Sequence, residues 1–123
     1  MNFLSRALIF GLLYTIMTVS SFAGECAATD AGTLEGCKDQ TVKASGPRVE
    51  MFDVPEYFST ADPSFTGGEG MQDYMSIGDI KIILHTKDEV QCPESIEVVG
   101  GLKQLDLGEG KAWVVEVAEF KCL

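Results

Sequence analysis

The stretch CPESIEVVGGLKQLDLGEGKAWVVEVAEFKC, residues 92–122, decides how this chain folds. It holds two runs rich in Val and Ile, SIEVVGGL at 95–102 and KAWVVEVAEF at 111–120, on either side of LDLGEG at 105–110. β-branched residues in the runs, with Gly and Asp between them, predict a hairpin. Facing positions in an antiparallel pair have numbers with a constant sum. If Cys92 faces Cys122 that sum is 214, and the fold-back centres on Leu107 inside the turn segment. Facing Cα atoms in such a pair lie about 4.5–5.5 Å apart, a separation that suits a disulfide. The spacing therefore predicts a Cys92–Cys122 bridge, worth about 3–4 kcal/mol through loop closure. The same register pairs Val98 with Glu116 and Val99 with Val115, so the apolar faces do not match throughout. A bulge near Gly100-Gly101 would reconcile them, and the phase of the hairpin stays open.

Working outward, the other two cysteines are Cys26 and Cys37. Four cysteines in an exported chain of this size predict two disulfides, and the hairpin leaves Cys26–Cys37 as the second. The N-terminus predicts export. Arg6 is the sole charged side chain before Glu25, residues 7–19 are mostly apolar, and Ser21-Phe22-Ala23 supplies the small residues of a cleavage site. Residues 1–23 are thus expected to be a signal peptide and 24–123 a single mature domain. The apolar run is short for a membrane span, so the product is expected to be periplasmic or secreted and free of the membrane after cleavage.

After residue 23, eight basic residues face 19 acidic ones, a net charge of −11. Such a chain repels phosphate backbones and anionic lipid, which argues against nucleic acid and membrane surfaces as partners. A basic protein, a cation or a neutral ligand fits the charge, and a monomer is expected.

Along the mature chain, residues 24–37 are small and polar and predict an irregular arm with a short helical turn. Val42 and Ala44 alternate with polar neighbours in a first strand at 40–45, broken by Gly46-Pro47, with resumption over 48–52 after a bulge as an option. Residues 53–70 carry two prolines, Gly67-Gly68 and Gly70, together with Tyr57, Phe58 and Phe65. A loop of this length in a compact domain is functional or mobile, and its aromatics predict that it folds back onto the body. Strands at 71–77 and 80–86 flank Gly78-Asp79, a pair suited to a type II′ turn. Residues 87–91 predict a polar connector, with one turn of helix as an option.

This order of strands carries a resemblance. TVKASG at 41–46 looks like an opening strand with a glycine where it must bend, YMSIGDIKIIL at 74–84 like a second hairpin, and IEVVGGL at 96–102 like a fourth strand of I-x-V-x-G-x-L form. Over residues 40–121 the layout resembles the exported bacterial OB-fold proteins, small periplasmic proteins linked to stress tolerance and ligand binding. The resemblance implies an all-β, five-stranded Greek-key barrel with a disulfide-closed N-terminal arm. The chain departs from that family in its four cysteines, its long 53–70 loop, and Met75 and Ile77 in the second hairpin.

Three sets of residues are candidates for function. Tyr57, Phe58, Phe65 and Tyr74 would form either an aromatic binding platform or a satellite core beneath the loop. Met71, Met75 and the lone His85 offer the thioether and imidazole donors that suit copper(I); methionine also serves simply to fill gaps in a core. The carboxylates Asp53, Glu56, Asp62, Glu69 and Asp73 lack the spacing of a calcium loop, and no nucleophile–base pair accompanies His85. The leading expectation is a non-enzymatic binding module that contacts a ligand or protein through residues 53–74 and the adjoining hairpin. The alternatives are a periplasmic copper protein and a secreted acidic protein that interacts with or inhibits a basic partner.

Overall fold

The computed structural model describes residues 25–123; the expected signal segment lies outside them. The elements in chain order are β1 (Cys26–Ala27), α1 (Ala31–Gly36), β2 (Thr41–Pro47), two 3-10 turns (Met51–Asp53 and Glu56–Ala61), α2 (Pro63–Thr66), β3 (Met71–Ile77), β4 (Ile80–Thr86), β5 (Ser95–Asp106) and β6 (Lys111–Cys122). The chain is mostly β. All six strands form one mixed sheet in the order β1-β2-β5-β6-β4-β3, with β1–β2 and β4–β6 parallel and the other neighbours antiparallel.

This differs from the expected closed five-stranded barrel. The sheet has an additional two-residue strand, β1, and its ends are not joined by a ladder. Where β2 nears β3 there is one bridge, Arg48 to Met75, and the Val49 N–H donates to the Tyr74 carbonyl at 3.1 Å. Two local features explain the missing ladder. Pro47 has no N–H to donate, and the chain turns out of the strand into the first 3-10 turn at Met51. Nor does Gly46-Pro47 end β2 as expected, since both residues pair with β5. Glycine is required at 46, where a Cβ would stand 2.0 Å from the Ser76 carbonyl oxygen.

The β5–β6 hairpin exists, but its register is not the one that places Cys92 opposite Cys122. Ile96 faces Cys122 and Leu102 faces Val115, with a register shift between Val99 and Gly100 where β6 carries the extra residue Ala118. The bulge therefore falls at the diglycine. Gly100 is crowded there: a Cβ would lie 2.1 Å from the Glu116 carbonyl oxygen. Both strands also run further than expected, β5 to Asp106 and β6 to Cys122, which shortens the turn to four residues. Gly108 adopts a φ of 93° there, and the Asp106 carboxylate accepts its N–H at 3.0 Å.

Both predicted disulfides are formed. Cys92 reaches Cys122 with Cα atoms 5.0 Å apart, but from the connector before β5. That connector has no helical turn. It folds back so that the Glu94 carbonyl accepts the Arg48 N–H at 2.8 Å. The Cys26–Cys37 bridge, with Cα atoms 5.7 Å apart, ties β1 to the end of α1. Helix α1 is started by Asp30, whose carboxylate accepts the Thr33 N–H, while the Thr33 hydroxyl accepts the Asp30 N–H in return.

The alternating positions of β2 and β5 bury Val42, Ala44, Ile96, Val98 and Leu102 on one face. They pack with Met75, Ile82, Leu84, Trp113 and Val115 in the main core. Runs such as IIL in β4 and AWVV in β6 bury residues on both faces. Their second face, with Tyr74, Ile83, Ala112 and Val114, is covered by the segment after β2, chiefly Val49, Val54, Tyr57 and Phe58. That two-sided burial is why these strands lack polar alternation.

Candidate functional site

Three of the four aromatic candidates pack internally. Phe58 is 4% exposed and Tyr74 is buried beside it, with ring centroids 6.1 Å apart. Tyr57 meets Phe58 edge to face at 5.4 Å, and its hydroxyl fills the space at Gly110, where a Cβ would lie 2.5 Å from it. These rings form a satellite core that pins the 53–70 loop over β3, β4 and β6. Phe65 does not join them; it is 72% exposed on α2.

The methionines and the histidine are not brought together. In the β3–β4 ladder His85 stands opposite Gln72. Side chains alternate along a strand, so Met71 and Met75 project from the other face of that ribbon. Met75 is sealed in the main core. The His85 ring is committed elsewhere: Nδ1 lies 3.2 Å from the Glu116 carboxylate and Nε2 lies 2.8 Å from the Gln72 amide oxygen. Gln72 in turn donates at 2.9 Å to both the Phe58 carbonyl and the Tyr74 hydroxyl. With both nitrogens engaged, the ring acts as a brace between β6, β3 and the loop. Burial works against the Glu116 carboxylate, but hydrogen bonds and charge from Lys103 and His85 outweigh it and hold its carboxyl below the ordinary glutamate range.

The open surface lies one strand edge away. A groove of about 690 Å³ runs between residues 48–52 and 89–93, with Met71–Tyr74 of β3 as its floor. Phe52 is 84% exposed at its mouth, Met51 68% and Met71 46%. Arg48, the one arginine after residue 6, braces the base. Its guanidinium donates to the Cys92 carbonyl at 2.7 Å and to the Asp73 carboxylate, linking the connector and β3 where the sheet is not laddered. Its cation is thereby spent internally. Among the described residues, the other charged groups on the groove are Glu50, Asp62, Asp73 and Glu89, all carboxylates.

This groove overlaps the expected 53–74 region only at Asp62 and at Met71–Tyr74. Arg48, Met51, Phe52 and Glu89 are not among the candidate site residues that the sequence marks. The available signal was Met51-Phe52, an apolar pair between Glu50 and Asp53 with no periodicity to bury it. Among the described residues there is no group of three or more His, Cys, Asp or Glu side chains placed to share a metal ion, and no helix is long and apolar enough to cross a membrane. No protein-family model matches the chain, and no curated protein and no solved structure matches it.

Proposed function

We propose that the protein is an exported, non-enzymatic binding module that holds a partner in the groove at the open end of its sheet. The observation that carries this reading is the cluster of Met51, Phe52 and Met71. These are three large apolar side chains left in solvent around one concavity, in a domain that packs its other aromatic loop residues inward except Phe65. Exposed apolar clusters rimmed by charge mark interaction surfaces. Methionine suits such a surface because its flexible thioether adapts to the partner.

The fold proposed to underlie this reading is OB-like. The parallel β4–β6 pair, the antiparallel β2–β5 and β3–β4 pairs, and the approach of β2 to β3 at Arg48 support that reading, since a five-strand Greek-key barrel with one seam unladdered would have the same neighbours. Two disulfides indicate an oxidising compartment outside the cytoplasm, and the periplasm or the extracellular medium is the proposed location.

The test is a double substitution, Met51→Ser with Phe52→Ser, on the oxidised protein. Both residues are exposed, so stability should change by no more than about 0.5 kcal/mol. Photo-crosslinking in the native compartment should yield a discrete adduct with the wild type and lose it with the variant. An adduct retained at full yield by the variant would refute the site.

A further inference from the structure

We propose that the groove takes an extended cationic peptide segment, added as a strand to the free edge of β3. This rests on the binding-module reading and names the chemical class of the partner. β3 is an outer strand of the sheet, and its edge is used only in part. The Tyr74 carbonyl accepts the Val49 N–H and the Tyr74 N–H donates to the Asp73 carboxylate, so Tyr74 directs both groups away from β4. Backbone groups repeat every two residues along a strand, so Gln72 presents its N–H and C=O along the same edge. Neither has a backbone partner among the described residues. The intramolecular pairing thus ends at Tyr74, one end of the groove floor, and leaves the edge at Gln72 unpaired.

An exposed edge bordered by pockets for alternate side chains is the arrangement that captures extended peptides. The groove supplies both kinds of pocket. Met51, Phe52 and Met71 offer apolar contact, while Glu50, Asp62 and Glu89 offer charge. Arg48, the one cation on the groove among the described residues, is held by Asp73. A strand alternating cationic and apolar side chains satisfies both sets at once. An anionic strand meets carboxylates with no free cation among the described lining residues, and the overall excess of 19 acidic over nine basic residues steers cationic partners toward the surface.

The experiment follows the amide resonances of the oxidised protein as capped hexapeptides are added. The probes are a peptide of alternating lysine and valine, one of alternating glutamate and valine, hexalysine, and two copies of the lysine–valine peptide N-methylated on one or the other set of alternate backbone nitrogens. The lysine–valine peptide should shift the Gln72 amide and slow its solvent exchange at least tenfold. One N-methylated copy should bind at least tenfold more weakly than the parent while the other retains affinity, because only alternate nitrogens face β3. Hexalysine and the glutamate–valine peptide should each bind at least tenfold more weakly. Glu50→Gln with Glu89→Gln, both at exposed positions, should weaken the lysine–valine peptide at least threefold. Equal binding by both N-methylated copies, by hexalysine or by the glutamate–valine peptide overturns strand addition, as does no binding at all. Loss of peptide binding with the Met51- and Phe52-dependent crosslink intact overturns this inference alone; loss of both overturns the binding module.

Discussion

Phe58→Ala separates the two roles open to the aromatic loop. The Phe58 ring is almost wholly buried between Tyr57 and Tyr74. An aromatic side chain of this kind buries about 150 Å² at the low end of the aromatic range, which at about 25 cal/mol per Å² is close to 4 kcal/mol. Alanine keeps the β-carbon and recovers part of that. The loss of the edge-to-face contact adds about 1 kcal/mol, and a cavity beneath a loop collapses more readily than one in a laddered core. The expected cost is about 3 kcal/mol, at the lower end of measured Phe→Ala changes. Urea unfolding monitored by Trp113 fluorescence measures it, and hydrogen exchange should show the loss concentrated in residues 54–62. Phe65→Ala, at an exposed position, should stay within about 0.5 kcal/mol of wild type. If Phe58→Ala costs less than about 1 kcal/mol, the ring is not a core residue and the reasoning fails.

The disulfides should rank by loop length. Replacing Cys92 and Cys122 with alanine should cost about 3.6 kcal/mol for a separation of 30 residues, and the Cys26/Cys37 pair about 2.8 kcal/mol for a separation of 11; paired urea titrations check the order. Gly100→Ala places a methyl group against the Glu116 backbone and should cost at least about 1–3 kcal/mol. Gly101→Ala, with nothing within 4 Å of the new Cβ, should be tolerated, and thermal unfolding of the two variants compares them directly. The Glu116 carboxyl titrates below its ordinary value of 4.5 when folded. Its contribution is therefore present above that pH and lost as pH falls through the folded value. Urea midpoints measured between about pH 3 and 6 should fall less steeply on the acid side for Glu116→Gln than for wild type.

Much of the fold was legible in the residues because local and global preferences agree. The β3–β4 hairpin matches its predicted bounds, with Gly78 at a φ of 59° and Asp79 not in the left-handed region, as a type II′ turn requires. Cysteine parity and spacing led to both bridges. The register of the last hairpin was misjudged because a disulfide constrains distance rather than ladder position, and Cys92 satisfies it from a folded connector. The open end of the sheet was invisible for a similar reason. It depends on Gly46, Pro47 and Arg48 meeting β3 from some 25 residues away, and no period in either segment encodes that meeting. The site shifted for a physical reason too. Aromatic composition marked Tyr57, Phe58 and Tyr74, yet a domain this small uses large rings first as core. The exposed residues Met51 and Phe52 stand out only once their neighbours are known to be buried.

The three methionines after residue 23 provide the most direct test of the central claim, that the groove is where a partner is held. Met51 and Met71 stand at its mouth, while Met75 is buried in the main core. In protein labelled with carbon-13 at the methionine methyl groups, a partner fraction from the native compartment should shift the Met51 and Met71 signals and leave Met75 in place. Binding that leaves the Met51 and Met71 methyl signals unmoved would contradict the account.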